Sequence, residues 1–186
     1  DADGAVASAT IDGGTTALVI AASTVDGDLT LTSGHTSGIT DSGTLTIGGN
    51  LSATTDAGNG VVDLGTLAVD GTVALTTHGS GDATVVNDAA LTFAASSVAG
   101  ALSATATTGN IIDNATVTVG GNFAVTATAD DATVNLGTLA VDGTVALTTN
   151  GSSGNVTVVN DAGLAFAAST VDGTLSATAT TGNITD

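Results

Sequence analysis

Thr66-Leu67-Ala68-Val69-Asp70-Gly71-Thr72-Val73-Ala74-Leu75-Thr76-Thr77 recurs letter for letter at 138–149. Within it Val69, Gly71, Val73 and Leu75 share one face, and Asp70, Thr72, Ala74 and Thr76 share the other. That period of two belongs to a strand, not to a helix of period 3.6. The run is one of seven copies of Val/Ile-x-Gly-x-(Leu/Val/Phe)-x-x-Thr, beginning at Val25, Ile47, Val69, Val98, Val119, Val141 and Val171. A longer, 73-residue period contains them: Ala-Ala-Ser-(Thr/Ser)-Val stands at 21–25, 94–98 and 167–171.

Short strands at a fixed period, separated by glycine-rich breaks such as Gly79-Ser80-Gly81-Asp82 and Thr108-Gly109-Asn110, predict a stack of coils. The fold class expected is all-β, a right-handed parallel β-helix or β-solenoid. Its glycines, Gly27, Gly49, Gly71, Gly100, Gly121, Gly143 and Gly173, follow one another at intervals of 22, 22, 29, 21, 22 and 30 along the chain. The spacing predicts three coils per 73-residue unit, two short and one long, at about 22–30 residues each. Residues 1–186 then read as one continuous solenoid, with super-repeats at about 17–89 and 90–162, a partial one at 163–186, and 1–16 as the tail of a preceding coil.

Composition agrees with that architecture. The 186 residues contain no Lys, Arg, Pro, Cys, Met, Trp or Tyr, and all 18 acidic residues are Asp. Every strand inside a solenoid is a central strand, where Pro would delete a ladder donor. With only Phe93, Phe123 and Phe166 as aromatics, the core must be built from Val, Leu, Ile and Ala, which suit thin stacked layers. A net charge of −18 with no cation removes the footprint that a phosphate backbone or an anionic headgroup needs. Nucleic acid is therefore not an expected partner. Membrane insertion is not expected either, because no apolar run approaches the roughly 20 residues of a spanning helix.

Aligning the seven copies predicts two columns, each running up the whole stack. The glycines form an inward one. Thr32, Thr54, Thr76, Thr105, Thr126, Thr148 and Thr178 form an outward one, in which threonine packs on threonine of the neighbouring coil. An ice-binding face would need a second threonine column beside it. Two residues earlier stand Thr30, Ser52, Ala74, Ser103, Ala124, Ala146 and Ser176, so the array is missing.

Asp26, Asp70, Asp142 and Asp172 precede motif glycines. The alignment puts Asp142 and Asp172 on successive coils, where like charges one strand spacing apart repel unless a cation bridges them. Calcium at Asp142 and Asp172, at Asp130-Asp131, or at Asn160-Asp161 is the alternative to solvated turn aspartates; no other cofactor is expected. Catalysis is not expected. No Lys or Arg could hold an acidic sugar, no Trp or Tyr could stack a neutral one, and His35 and His78 are lone turn residues.

The runs Leu-Ser-Ala-Thr-Ala-Thr-Thr-Gly-Asn-Ile-Ile-Asp (102–113), Gly-Thr-Leu-Thr-Ile-Gly-Gly-Asn-Leu (43–51) and Thr-Val-Val-Asn-Asp (84–88) resemble the repeat regions of filamentous-haemagglutinin-type bacterial surface adhesins. The resemblance spans the chain. It implies a right-handed β-helix shaft exported to the bacterial surface or secreted as a filament. Its partners would be other copies of itself and host or neighbouring cell surfaces. The function expected is structural and adhesive: a rigid extracellular shaft, with a calcium-dependent or self-assembling matrix module as the alternative.

Overall fold

The computed structural model describes residues 7–186. The start of the expected leading tail, 1–6, lies outside the described residues. All regular structure among them is β, and every pairing between named strands is parallel. The strands form two sheets of eleven, stacked as a β-solenoid of about eight turns with about 21 residues per turn. At a strand spacing of about 4.8 Å the shaft is about 38 Å long. Among the described residues no helix is long and apolar enough to cross a membrane.

Each turn contributes one level to each sheet. In the first sheet Ala9–Asp12, Leu29–Ser33, Leu51–Gly58 and Thr72–His78 lie level upon level. Above them run Leu91–Phe93 with Ser96–Val98, Ile111–Asp113 with Val117–Val119, then Val134–Val141, Val156–Asn160 and Leu175–Ala179. The second sheet is built in the same way through Val62–Val69, Ala83–Asn87, Leu102–Ala106, Phe123–Asp130 and Thr144–Asn150.

This stacking corrects the expectation of three coils per super-repeat. Leu29, Leu102 and Leu175 are equivalent residues of successive repeats. Leu29 pairs with Leu51 in the first sheet, Leu102 with Phe123 in the second, and Leu175 with Val156 in the first again. A 73-residue repeat is therefore seven half-coils, three and a half turns, and each repeat sits half a turn round from the one before. The two longest intervals, from Gly71 to Gly100 and from Gly143 to Gly173, are not long coils. From Gly71 the chain runs half a coil to Gly81, and only the next full coil brings Gly100 over Gly81, with the Gly100 N–H donating to the Gly81 carbonyl at 2.9 Å. A single long coil would carry a stretch of backbone without ladder partners, whereas the half-turn pairs the strands on both sides.

The core lies between the sheets. Leu31, Ile39, Leu45, Ile47, Leu64, Leu75 and Leu136 are fully buried, at the inward positions that alternation predicts. Phe93 of the first sheet and Phe123 of the second meet across it edge to face, with ring centroids 6.3 Å apart, a geometry favoured by the ring quadrupoles. Phe166 is half-buried.

Candidate functional site

The glycine column exists in two pieces. Gly27, Gly49 and Gly71 stack in one, and Gly100, Gly121 and Gly143 in the other, while Gly173 lies over Gly154 and Asn155. Their φ angles are ordinary, so the requirement is space. A Cβ on Gly49 would lie 2.7 Å from the carbonyl carbon of Gly27, and one on Gly121 2.8 Å from that of Gly100. At these corners the missing side chain would strike the backbone of the coil beneath, which cannot move aside without breaking the ladder.

The threonine column splits likewise. Thr32, Thr54 and Thr76 are neighbours in the first sheet, and Thr76 is followed by Ser97. Thr105, Thr126 and Thr148 are neighbours in the second, followed by Thr170. Thr178 returns to the first sheet beside Val159. No seven-tall ladder forms, because an odd number of half-coils separates the two sets.

Asp142 and Asp172 do not stack, contrary to the alignment. Asp142 follows the Val134–Val141 strand of the first sheet. Asp172 follows Thr170, which bridges to Thr148 of the second. Asp131 is engaged differently: at φ 61 its Oδ1 accepts from the N–H groups of Ser152 and Ser153, both at 2.8 Å. Asp130 lies exposed beside Asn150. Among the described residues no three His, Cys, Asp or Glu side chains come together as a metal-binding group.

Many of the carboxylates and amides instead hold the next coil. Asp28 Oδ1 accepts from Asn50 N at 2.7 Å, and Asn50 Oδ1 from Thr72 N at 2.9 Å. Asp82 caps Ala101 N, Asn122 caps Thr144 N and Asn155 caps Thr174 N. Corner N–H groups that face away from the strand ladder are satisfied one level down, some of them by ionised acceptors.

Inside the shaft sits a polar set that the sequence reading missed. Asn87, 1% exposed, accepts from Val69 N at 2.8 Å and donates to the carbonyls of Val69 and Ala90 at 3.0 and 2.7 Å. Asn160 repeats this in the other sheet with Val141 N, Val141 O and Gly163 O at 2.8, 3.0 and 2.8 Å. Thr55, Thr77 and Thr149 turn inward and donate to the carbonyls of Gly60, Gly81 and Gly154. Among the described residues no buried side-chain nitrogen or oxygen lacks a partner. The signal was present: Ala83, Val85 and Asn87 continue one parity, which carries the amide into the core.

A β-bulge interrupts each repeat once more. Leu64 faces Val85 and Leu67 faces Asn87, so Gly65 and Thr66 together oppose Val86. Leu136 and Leu139 stand in the same relation to Val158 and Asn160. The N–H groups of Gly65 and Thr66 are capped by Asp41 at 3.1 and 2.8 Å, and those of Gly137 and Thr138 by Asp113 at 2.9 and 2.8 Å. Beside each bulge lies a shallow groove, of about 270 Å³ in one repeat and 280 Å³ in the next. Thr44, Thr66, Leu67, Val86, Asp88 and Thr107 line the first; Thr116, Thr138, Leu139, Val159, Asp161 and Thr180 line the second.

Compared with known proteins, residues 4–66, 80–131 and 153–186 match one family model, described as repeats of unknown function. The second and third matches begin one super-repeat apart. No curated protein and no solved structure matches the chain.

Proposed function

The chain belongs to the family of repeats of unknown function DUF5649, and from that premise we propose that it is a structural segment of a longer secreted surface or filament protein. It is a stiff shaft that sets reach and spacing, with no catalytic role. The filamentous-haemagglutinin-type resemblance supports an extracellular, adhesive setting on a bacterial surface. In this reading the shaft's partners are further copies of itself and the host or neighbouring cell surfaces that the whole protein meets.

The observation that carries the reading is the continuous coil-on-coil stacking. Both sheets run the length of the shaft, the corners are closed by side chains of the coil below, and among the described residues the buried side-chain polar groups are paired. Stability built from nearest-neighbour coil contacts scales with repeat number, which is what a spacer of selectable length requires. The charge of −18 keeps the shafts soluble.

A chelator melt tests this against a calcium-dependent module. The shaft reading expects the melting temperature to change by no more than a few degrees when EDTA is added. A loss of tens of degrees would sink it. Negative-stain images of the native assembly should show thin straight shafts.

A further inference from the structure

The two grooves beside the bulges lie on opposite faces of the shaft. The first is built on Val62–Val69 and Ala83–Asn87 in the second sheet, the other on Val134–Val141 and Val156–Asn160 in the first. The six residues named for one groove are matched letter for letter in the other, although residues around them differ, with Asp63 against Asn135, Leu45 against Val117 and Ala83 against Val156. Asp88 and Asp161 are exposed, and among the described residues neither carboxylate is engaged by a partner. The carboxylates of Asp41 and Asp113 are occupied by the bulges.

The lining selects the chemistry of a ligand by elimination. A calcium ion takes 6–8 oxygens, several of them carboxylate, and each groove offers one carboxylate. A sugar ring held by stacking needs an exposed aromatic face, and neither groove has an aromatic residue in its lining. An anion would meet a surface without a single Lys or Arg. A primary ammonium group on an alkyl stem fits each feature. Its three donors are matched by one carboxylate and nearby threonine hydroxyls, and its methylenes by the half-buried Val86 or Val159.

We propose that each 73-residue repeat carries one lysine-binding groove of this kind, and that the half-turn between repeats presents successive grooves on alternate faces, three and a half coils apart. That offset is about 17 Å along the axis. One exposed carboxylate binds one ammonium weakly, so measurable binding requires a lysine-rich, multivalent partner. With the grooves facing opposite ways, such a partner bridges two shafts more readily than it spans two grooves of one.

Titrating hexalysine into the isotopically labelled intact chain and following amide shifts by NMR tests this. The expected result is two clusters of shifted amides, at Thr44, Thr66, Asp88 and Thr107 and at Thr116, Thr138, Asp161 and Thr180. The double variant D88N/D161N should weaken binding at least tenfold. D56N/D130N, which removes the same charge elsewhere on the surface, should weaken it less than twofold. Equal weakening by the two double variants, shifts spread over all exposed aspartates, or no binding would each overturn the proposal. The mapping on the unaltered chain decides the matter even if a variant fails to fold.

Discussion

Residues 62–89 and 134–162 are nearly the same peptide, yet the strand Val62–Val69 belongs to one sheet and Val134–Val141 to the other. What stays the same is the chemistry one level up or down. Asn87 and Asn160 each close the same three hydrogen bonds inside the shaft. What differs is two strand positions, Asp63 against Asn135 and the buried Ala83 against Val156, and otherwise the corners. Asn59 at φ 68 and Asp131 at φ 61 both cap N–H groups of the next coil. His78 hydrogen-bonds the Thr55 carbonyl through Nδ1, where Asn150 donates to that of Thr128 through Nδ2. The buried amide keeps one set of bonds in both sheets, while the corners use either an acceptor or a donor in the same place.

The half-turn relation can be broken outright by cross-linking. Thr76 lies beside Ser97, whereas stacking by motif would put it beside Thr105. On mild oxidation the pair T76C/S97C should form an intramolecular disulfide nearly quantitatively, since in-register neighbours fall within bridging range. T76C/T105C should form essentially none, as seen on a non-reducing gel. The reverse pattern would restore three full coils per repeat.

The interior equivalence is tested next. Replacing Asn87 by Asp sets a carboxylate against the Val69 and Ala90 carbonyls and removes two donors, so a loss of about 3–5 kcal/mol is expected. N160D should cost the same to within about 1 kcal/mol, by denaturant unfolding. A large disparity would show that the two sheets do not do equivalent work.

Smaller effects separate the glycines. Gly121→Ala forces a Cβ into the Gly100 backbone and should cost about 1–3 kcal/mol. Gly65→Ala, where a Cβ meets nothing within 4 Å, should stay within about 0.5 kcal/mol. At the corners, N59D and D131N should each be nearly silent, also within about 0.5 kcal/mol, because only acceptor oxygens are used there. A cost above about 2 kcal/mol at either corner would mean that the two are not interchangeable.

Much of this was legible along the chain. Period two marked the strands, the absence of Pro marked central pairing, and the spacing of 73 marked the repeat. The bulge at Gly65-Thr66 was also readable, as a slip between the inward residues Leu64 and Leu67. The inward amide was readable from the parity of Ala83, Val85 and Asn87. The grooves were not, because they draw on side chains from four levels, among them Thr44 and Thr107, that are distant in sequence.

The sequence by itself determined the parallel solenoid, since strand period, turn residues and repeat length are local properties of the chain. Only the tertiary structure decided how the repeats face one another. Whether one super-repeat closes three turns or three and a half depends on which turns reverse the chain and which merely bend it. Similarity of sequence cannot report that, because equivalent residues are alike whether they stack or stand on opposite sides. Ladder pairing selects the half-turn, since it gives strands such as Leu102–Ala106 and Val156–Asn160 partners on both sides.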